Sequence, residues 1–319
     1  MNPASATALP HPPAILSLST CWNSHRHTEG RELAQEAREL GFEWIEVSHG
    51  TKISLLPGLL AAVAAGEIRV SSLHNFCPPP VEVTLDAPDV YEFTSDKAWE
   101  RERAILLTKK TLAMAGRFGT DRVVVHLGCA RVPSLTQKLE AMALAGQLYS
   151  REYTDLKLKL VALREAASAL ALDRVWAALA ELLPVCETER VRLGIETRSH
   201  YEQIPNQREM QTLLEEYKDC PWIGSWHDFG HVQRQANLAL LDHQIYLSEI
   251  APRLIGCHVH DVRWPMKDHR APLSTGSVAF ETLLPLIPPG VPLVWELSPG
   301  NRREDVVEAL RRWREKFLA

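Results

Sequence analysis

With 319 residues, the chain is too long for a small disulfide-stapled module, and its length fits one large domain or two. Hydrophobic residues make up 45% of the sequence and charged residues 24%, which is typical of globular proteins and argues against a disordered, collagen-like or coiled-coil chain. The formal net charge of −5 gives no support for binding to a polyanion such as nucleic acid. No apolar run reaches the roughly 18 to 20 residues of a membrane span, so we expect a cytoplasmic protein without a membrane partner.

Short β-branched runs alternate with longer amphipathic segments along the whole chain, which is the pattern of βα units that close a parallel sheet. The predicted strands are 14–21, 42–48, 69–75, 122–128, 191–197, 222–228, 254–261 and 292–297. The predicted helices lie near 29–40, 54–65, 98–117, 155–183, 206–218, 236–249, 278–287 and 303–317. Eight alternating pairs predict an α/β fold, a (β/α)8 TIM barrel in a single domain over residues 1–319, with the barrel core at about 14–317.

Two insertions are visible in this pattern. A Pro-rich stretch at 78–95 follows the third strand, and extra helical sequence at 129–153 follows the fourth. The alternative fold is a doubly wound open sheet, which ordinarily carries a Gly-rich turn after its first strand. The segment CWNSHRHTEG at 21–30 is not such a turn, so the barrel is favoured.

Seven consecutive strands, from the second to the eighth, end in a carboxylate or an imidazole. These residues are Glu46, His74, His126, Glu196, Asp228, His258 and Glu296. In a barrel of this type, functional residues sit at the carboxyl ends of the strands. The last four are separated from one another by about one βα unit each, so their side chains can converge on one mouth of the barrel.

The last four of these residues form a candidate metal site. Glu196, Asp228, His258 and Glu296 offer oxygen and nitrogen donors, a mixture that suits a divalent ion. Any one of them alone is more simply a polar residue at a strand end, but carboxylates clustered near a barrel axis would be costly without a cation. We therefore predict one divalent metal ion, with Mn²⁺ favoured and Zn²⁺ or Co²⁺ as alternatives, and no organic cofactor.

The order of these motifs resembles the xylose isomerase-like TIM-barrel superfamily. The motifs are HLG at 126–128, IE at 195–196, DFGH at 228–231, HVHD at 258–261 and the glutamate at 296. The superfamily contains sugar phosphate isomerases and epimerases, ketose 3-epimerases, inosose dehydratases and endonuclease IV. The resemblance to the ketose 3-epimerases implies that the four residues named above hold one metal, and that Glu196 and Glu296 are the catalytic pair.

Further histidines are expected at the substrate. The resemblance matches His231 to a histidine that contacts substrate in the epimerases and metal in endonuclease IV. It matches His74 and His126 to histidines that bind additional zinc ions in endonuclease IV, which leaves a second metal open. His260 is expected to support the metal ligands rather than to join them.

Three more residues are expected near the substrate, namely Glu46, Arg263 and Trp22. Glu46 either touches the substrate or buttresses a neighbouring arginine or lysine. The position six residues after His258, where the epimerases carry a substrate arginine, holds Trp264, which makes Arg263 the nearest guanidinium. Arg198, Arg263 and Arg270 are all able to grip a phosphate or carboxylate, although single loop arginines more often form ordinary ion pairs. Trp22 could stack on a sugar ring.

The resulting prediction is a metal-dependent isomerase or epimerase that acts on a sugar, a sugar phosphate or an inositol-derived compound. A proton next to a carbonyl is too weakly acidic for an unaided carboxylate, so a divalent ion must stabilise the enolate while Glu196 and Glu296 remove and return the proton. The expected partner is a small-molecule sugar and not nucleic acid, and a homo-oligomer stays open.

Three alternative functions remain: a multi-zinc phosphodiesterase like endonuclease IV, a dehydratase of the same superfamily, and a non-catalytic sugar-binding barrel. His74 and His126 favour the phosphodiesterase. The acidic net charge and the lack of basic clusters count against it, and Asp268 and His269 stand one residue out of register with the D-x-H motif of endonuclease IV.

Overall fold

The computed structural model describes residues 15–83 and 88–318, and within them eight parallel strands close into a barrel. The barrel strands are β1 (Leu16–Ser19), β2 (Trp44–Val47), β3 (Arg69–His74), β4 (Arg122–Val125), β5 (Arg192–Glu196), β6 (Ile223–Asp228), β7 (Leu254–Val259) and β8 (Leu293–Trp295). Each strand pairs with the next in the chain, and β8 closes on β1. The predicted (β/α)8 fold is confirmed; the predicted start of the first strand at residue 14 lies outside the described residues.

The described part of the chain forms ten α-helices around this barrel. They are α1 (Gly30–Glu39), α2 (Leu56–Ala64), α3 (Ala98–Phe118), α4 (Thr136–Leu144), α5 (Arg151–Glu189), α6 (Gln207–Glu216), α7 (Phe229–Asn237), α8 (His243–Ile250), α9 (Phe280–Leu283) and α10 (Arg303–Phe317). None of these helices is long and apolar enough to cross a membrane. The single-domain organisation over 1–319 stays a prediction.

The single helix predicted at 236–249 is wrong, because two helices occupy this region. The side chain of Asp228 accepts a hydrogen bond from the His231 backbone and starts α7 directly at the end of β6. The side chain of Asp242 accepts from the Ile245 backbone and starts α8. Because Asp228 is both the last residue of β6 and the N-cap of α7, no loop separates β6 from α7.

Both predicted insertions are present near the carboxyl ends of the strands. The chain between β3 and α3 carries Thr94, whose hydroxyl accepts a hydrogen bond from the Cys129 backbone after β4. Gly128 has a φ of +117°, and a Cβ at this position would lie 2.2 Å from Thr94 Oγ1. The insertion therefore approaches the strand end so closely that only glycine fits. Two short antiparallel pairs, 128–129 with 203–204 and 261–263 with 267–270, complete the loops.

The barrel interior is filled by the indole of Trp226, which is completely buried and packs against Val124 and Val294. A Cβ at Gly256 of β7 would lie 1.9 Å from this ring, so glycine makes room for the indole. The indole also makes an edge contact with the His258 ring, with 5.2 Å between centroids. Trp226 thus forms a rigid apolar support for the polar residues at the strand ends.

Candidate active site

Four side chains meet at the carboxyl ends of β5 to β8. Glu196 and Asp228 end β5 and β6, His258 lies in β7, and Glu296 directly follows β8. One donor atom of each residue lies within 4.8 Å of the donor atoms of the others, and none of the four is more than 4% exposed. The register explains the convergence, since Asp228 and His258 stand side by side in adjacent parallel strands.

The Nδ1 atom of His258 is the centre of this group. It lies 3.1 Å from Glu196 Oε1, 3.7 Å from Asp228 Oδ2 and 3.6 Å from Glu296 Oε2. Three buried carboxylates around one ring nitrogen form a donor set that fits a divalent ion such as Mn²⁺, Co²⁺ or Zn²⁺. Without a cation, mutual repulsion and lost solvation would oppose this arrangement.

Charge compensation within the protein shifts the pKa values of these groups. Burial opposes ionisation of Glu196, but the imidazoles of His126 and His258 hold its pKa well below the usual range. Burial likewise opposes protonation of His258, but Glu296, Glu46 and Glu196 raise its pKa well above the ordinary value. A metal ion that takes the His258 nitrogen must therefore displace a proton.

Glu46 lies on the other side of the His258 ring and is completely buried. The Nε2 atom of His258 is 3.1 Å from Glu46 Oε2 and 3.2 Å from Glu46 Oε1. Ser19 and Ser72 donate their hydroxyls to the two carboxylate oxygens, at 3.0 and 2.8 Å. Glu46 thus fixes the imidazole with Nδ1 directed at the carboxylates, and it neither lines the cavity nor buttresses an arginine or lysine as the sequence suggested.

A second group of possible ligands shares Glu196 with the first. His126 Nε2 lies 2.7 Å and His74 Nε2 3.2 Å from Glu196 Oε2, and the three residues form a candidate metal group. On its other side, His126 Nδ1 donates to Asp89 Oδ1 at 2.7 Å. Burial and Arg198 oppose protonation of His126, but Asp89 and Glu196 raise its pKa above the ordinary value.

A third group consists of His231, His260 and His269. The rings of His260 and His269 stack with 4.1 Å between centroids, and His260 Nε2 lies 3.0 Å from Asp228 Oδ1. His260 therefore contacts Asp228 of the first group and also belongs to this third group. The register mismatch at Asp268 and His269 does not keep His269 from the site: its ring stacks on His260, and its backbone is left-handed (φ +50°).

Members of all three groups line a cavity of about 450 Å³ at the barrel mouth. Glu196, Glu296, His74, His126 and His231 line it, as expected from the sequence. The cavity is of the size that small-molecule sites usually have.

Two residues expected at the substrate lie elsewhere. Trp22 is completely buried, its indole nitrogen donates to the Asn301 carbonyl at 2.9 Å, and Arg26 covers its ring. It packs below the surface in the turn after β1, and no face is left for a sugar. Arg263 is exposed on the 261–263 strand of the hairpin and does not line the cavity. The expectation for both residues is corrected accordingly.

The sequence analysis missed Asp89 and Arg234, which also line the cavity. Asp89 comes from the insertion after β3, and burial opposes its ionisation, but Arg198 and His126 hold its pKa far below the usual range. Arg234 comes from α7 and forms ion pairs with Asp268 and Glu140 at 2.7 and 2.6 Å. The available signals were the charge of Asp89 in a Pro-rich insertion and the one-turn spacing of Arg234 from His231.

A model of one protein family matches residues 34–316, and its description is xylose isomerase-like TIM barrel. The chain belongs to this family. The xylose isomerase-like resemblance that the motifs indicated is therefore confirmed. A comparison with curated proteins gave no match for this family member.

Solved structures similar to this xylose isomerase-like barrel include three described as epimerases or epimerase-like. A D-tagatose 3-epimerase-like protein is 17% identical, with 94% of this chain and 96% of that chain covered and a TM-score of 0.65. A 3-keto-D-glucoside 4-epimerase from E. coli is 14% identical, with 95% and 100% covered and a TM-score of 0.64. A D-allulose 3-epimerase from Methylomonas sp., in complex with D-allulose, is 14% identical, with 95% and 91% covered and a TM-score of 0.60. At these identities the likeness shows the fold alone.

Proposed function

We propose that the protein is a metal-dependent isomerase or epimerase of a small sugar or sugar derivative. The observation that carries this proposal is the placement of Glu196 and Glu296, whose carboxylates lie in one four-residue donor group and both line the cavity. Sugar epimerases among the structurally similar proteins add support.

The residues that would hold the divalent ion are Glu196, Asp228, His258 and Glu296, with Mn²⁺ favoured. When bound, the ion would supply positive charge that stabilises negative charge developing on the substrate oxygens. Glu46 keeps the Nδ1 atom of His258 directed at that position through its contact with Nε2.

Proton transfer is assigned to the two glutamates. One carboxylate, of Glu196 or Glu296, accepts the proton from the carbon next to the substrate carbonyl, and the other carboxylate returns a proton. Burial opposes ionisation of Glu296, yet His258 and His269 lower its pKa to about 2, so it is ionised at neutral pH. His74, His126 and His231 then donate hydrogen bonds to substrate hydroxyls.

The test combines elemental analysis with proton exchange. Purified protein is analysed for bound metals and then incubated in D₂O with a panel of ketoses, aldoses and inososes, while NMR follows deuterium incorporation at the carbon next to the carbonyl. We expect one divalent ion per chain and exchange with at least one substrate. Glu296→Gln should abolish exchange, whereas the matched buried variant Glu202→Gln, whose carboxylate contacts Thr136 away from the cavity, should retain it. Absence of metal, together with insensitivity to EDTA, would refute the proposal.

A second candidate function is phosphoester hydrolysis at a multinuclear metal site. The specific observation that favours it is that four donor groups are present among the described residues, the fourth being His49, His74 and Glu296, and that Glu196, Glu296 and His74 each belong to two of them. The Asp89 contact to His126 Nδ1 is also typical of a carboxylate that orients a metal-bound histidine. Two or three zinc ions per chain, together with hydrolysis of bis(p-nitrophenyl) phosphate, would establish this candidate in place of the isomerase.

A further inference from the structure

The loop after β5 places a buried arginine against the cavity. Arg198 is 3% exposed and lines the cavity beside Glu196. Its Nη2 atom donates to Asp89 Oδ2 at 2.9 Å, and its Nη1 atom lies 4.0 Å from Glu196 Oε2, beyond hydrogen-bond distance. Among the described residues, neither Nε nor Nη1 of Arg198 has a hydrogen-bond partner. Buried guanidinium donors without an acceptor are unfavourable, so this arrangement calls for one.

Another buried arginine shows how the same side chain is satisfied when its role is structural. Arg164 of α5 is 1% exposed and does not line the cavity. Its Nε and Nη2 atoms donate to the carbonyls of Tyr201 and Gln203, both at 2.9 Å, and Nη1 pairs with the Glu209 carboxylate. The open donors of Arg198 are therefore a property of its position at the cavity and not of buried arginines in this fold.

A second guanidinium lines the same cavity. Arg234 donates through Nη1 to Asp268 and through Nη2 to Glu140, and in the described part of the chain its Nε atom has no acceptor. Two arginines that line the cavity thus keep buried donors without an acceptor among the described residues, beside side chains that are mostly carboxylates and imidazoles. The carboxylate of Asp89 accepts from Arg198 Nη2 through Oδ2 and from His126 through Oδ1, but it makes no hydrogen bond with Nε or Nη1 of Arg198.

We infer that the substrate carries an oxyanion, either a phosphate or a carboxylate, and that Arg198 binds it with the help of Arg234. A guanidinium forms stronger hydrogen bonds with an oxyanion than with a neutral hydroxyl, and the charge of the ligand would complement a donor that the protein leaves open. The inference rests on the proposed function, because it names the substrate class of the same site.

Three ketoses that differ in one terminal group provide the test. D-Fructose, D-fructose 6-phosphate and D-fructuronate are titrated calorimetrically into the metal-loaded protein. The variants are Arg198→Met, Arg198→Lys and the control Arg174→Met, since Arg174 also donates to one aspartate, Asp96 at 2.8 Å, but lies outside the cavity. Metal content and melting temperature are measured for each. If Arg198→Met fails to fold, Arg198→Lys, which keeps the charge but loses donors, provides the comparison.

We expect one of the two anionic ketoses to bind more tightly than D-fructose, and its identity distinguishes a phosphate site from a carboxylate site. Arg198→Met should weaken the anion by about tenfold to a hundredfold, and Arg198→Lys by less, while D-fructose binding stays within about twofold. The control should bind all three ligands like the wild type.

The inference is overturned if neither anion binds more tightly than D-fructose, or if both Arg198 variants bind the anion as the wild type does, since metal ions alone would then hold it. Equal weakening of D-fructose and the anion would also overturn it. Deuterium exchange in the same samples separates the two proposals. Deuterium exchange without Arg198-dependent anion binding would support the isomerase proposal and reject the oxyanion site. Arg198-dependent anion binding without exchange would support the oxyanion site and reject the isomerase proposal.

Discussion

The contact between Glu46 and His258 leads to a prediction about metal affinity. Substituting glutamine for Glu46 keeps the size of the side chain but removes its negative charge and one acceptor oxygen. The glutamine can still accept through its carbonyl oxygen, and Ser19 and Ser72 can each donate or accept, so we expect Glu46→Gln to fold. The substitution weakens the hydrogen-bonding contact with Nε2 of the His258 ring.

The expected loss follows from the geometry. Both carboxylate oxygens of Glu46 lie within 3.2 Å of His258 Nε2, and both are buried. Hydrogen bonds to charged groups contribute about 1.5 to 3 kcal/mol. A carboxylate that orients a metal-bound histidine typically accounts for 10- to 100-fold in affinity, which is about 1.4 to 2.8 kcal/mol. We therefore expect Glu46→Gln to weaken metal binding by about 10- to 100-fold without removing it.

The assay is competition for Mn²⁺ or Co²⁺ between metal-free protein and a fluorescent chelator. Glu202→Gln is the matched control, because Glu202 is also a buried carboxylate that accepts a hydroxyl hydrogen bond, in this case from Thr136. Its metal affinity should equal that of the wild type. Ser72→Ala removes one support of Glu46 and should have a smaller effect than Glu46→Gln.

The reasoning fails if folded Glu46→Gln binds metal as tightly as the wild type. The position of Nδ1 would then be set by packing alone, for example by the contact between the His258 ring and the Trp226 indole. It also fails if Glu202→Gln loses as much affinity as Glu46→Gln, since the loss would then reflect general destabilisation.

Three further variants test other parts of the structure. Glu296→Gln should lower metal affinity by more than about 100-fold while far-UV circular dichroism stays unchanged, since it removes a direct ligand; retained affinity would contradict the ligand assignment. His126→Ala should raise KM about three- to tenfold with unchanged metal content, as one substrate hydrogen bond is lost; loss of one metal equivalent by elemental analysis would instead favour the multinuclear hydrolase. Burial lowers the pKa of His243 to about 4, so the unfolded chain binds more protons than the native protein between about pH 4 and 6.5, and stability is lost as pH falls through that range. Urea unfolding should show about 2 kcal/mol less stability at pH 5 than at pH 7, and His243→Gln should remove that part of the decrease; identical pH profiles would refute this.

The four central residues were predictable because the barrel converts strand order into proximity. Each of Glu196, Asp228, His258 and Glu296 lies at or next to the carboxyl end of a strand, and parallel strands in a closed barrel bring these ends to one mouth. Chain spacing was therefore sufficient to group them, without knowledge of any loop.

Glu46 shows where this reasoning stops. Its position at the end of β2 indicated the correct side of the barrel but not which neighbour it would contact. β2 and β7 are not adjacent in the barrel, and the contact to His258 crosses its interior. A carboxylate at the barrel mouth can face a substrate, whereas one that lies a layer of side chains deeper in the barrel contacts a candidate metal ligand instead. The pattern of strand-end residues does not distinguish the two depths.

The loops set the chemistry of the cavity and were the least predictable part. Arg198 stands two residues after Glu196, yet its partner Asp89 comes from an insertion more than a hundred residues earlier in the chain. His269 lines the cavity and has a left-handed backbone that a non-glycine residue rarely adopts, and the out-of-register sequence motif did not indicate this position. Local periodicity cannot specify such contacts. Lengthening a loop adds little to the entropic cost of closing it, and the conformation of a long loop depends on the residues that it contacts elsewhere in the fold. For this reason the strand ends provide the candidate metal ligands of this barrel, while Arg198, Asp89 and Arg234 come from a loop, an insertion and a helix that the strand pattern does not describe.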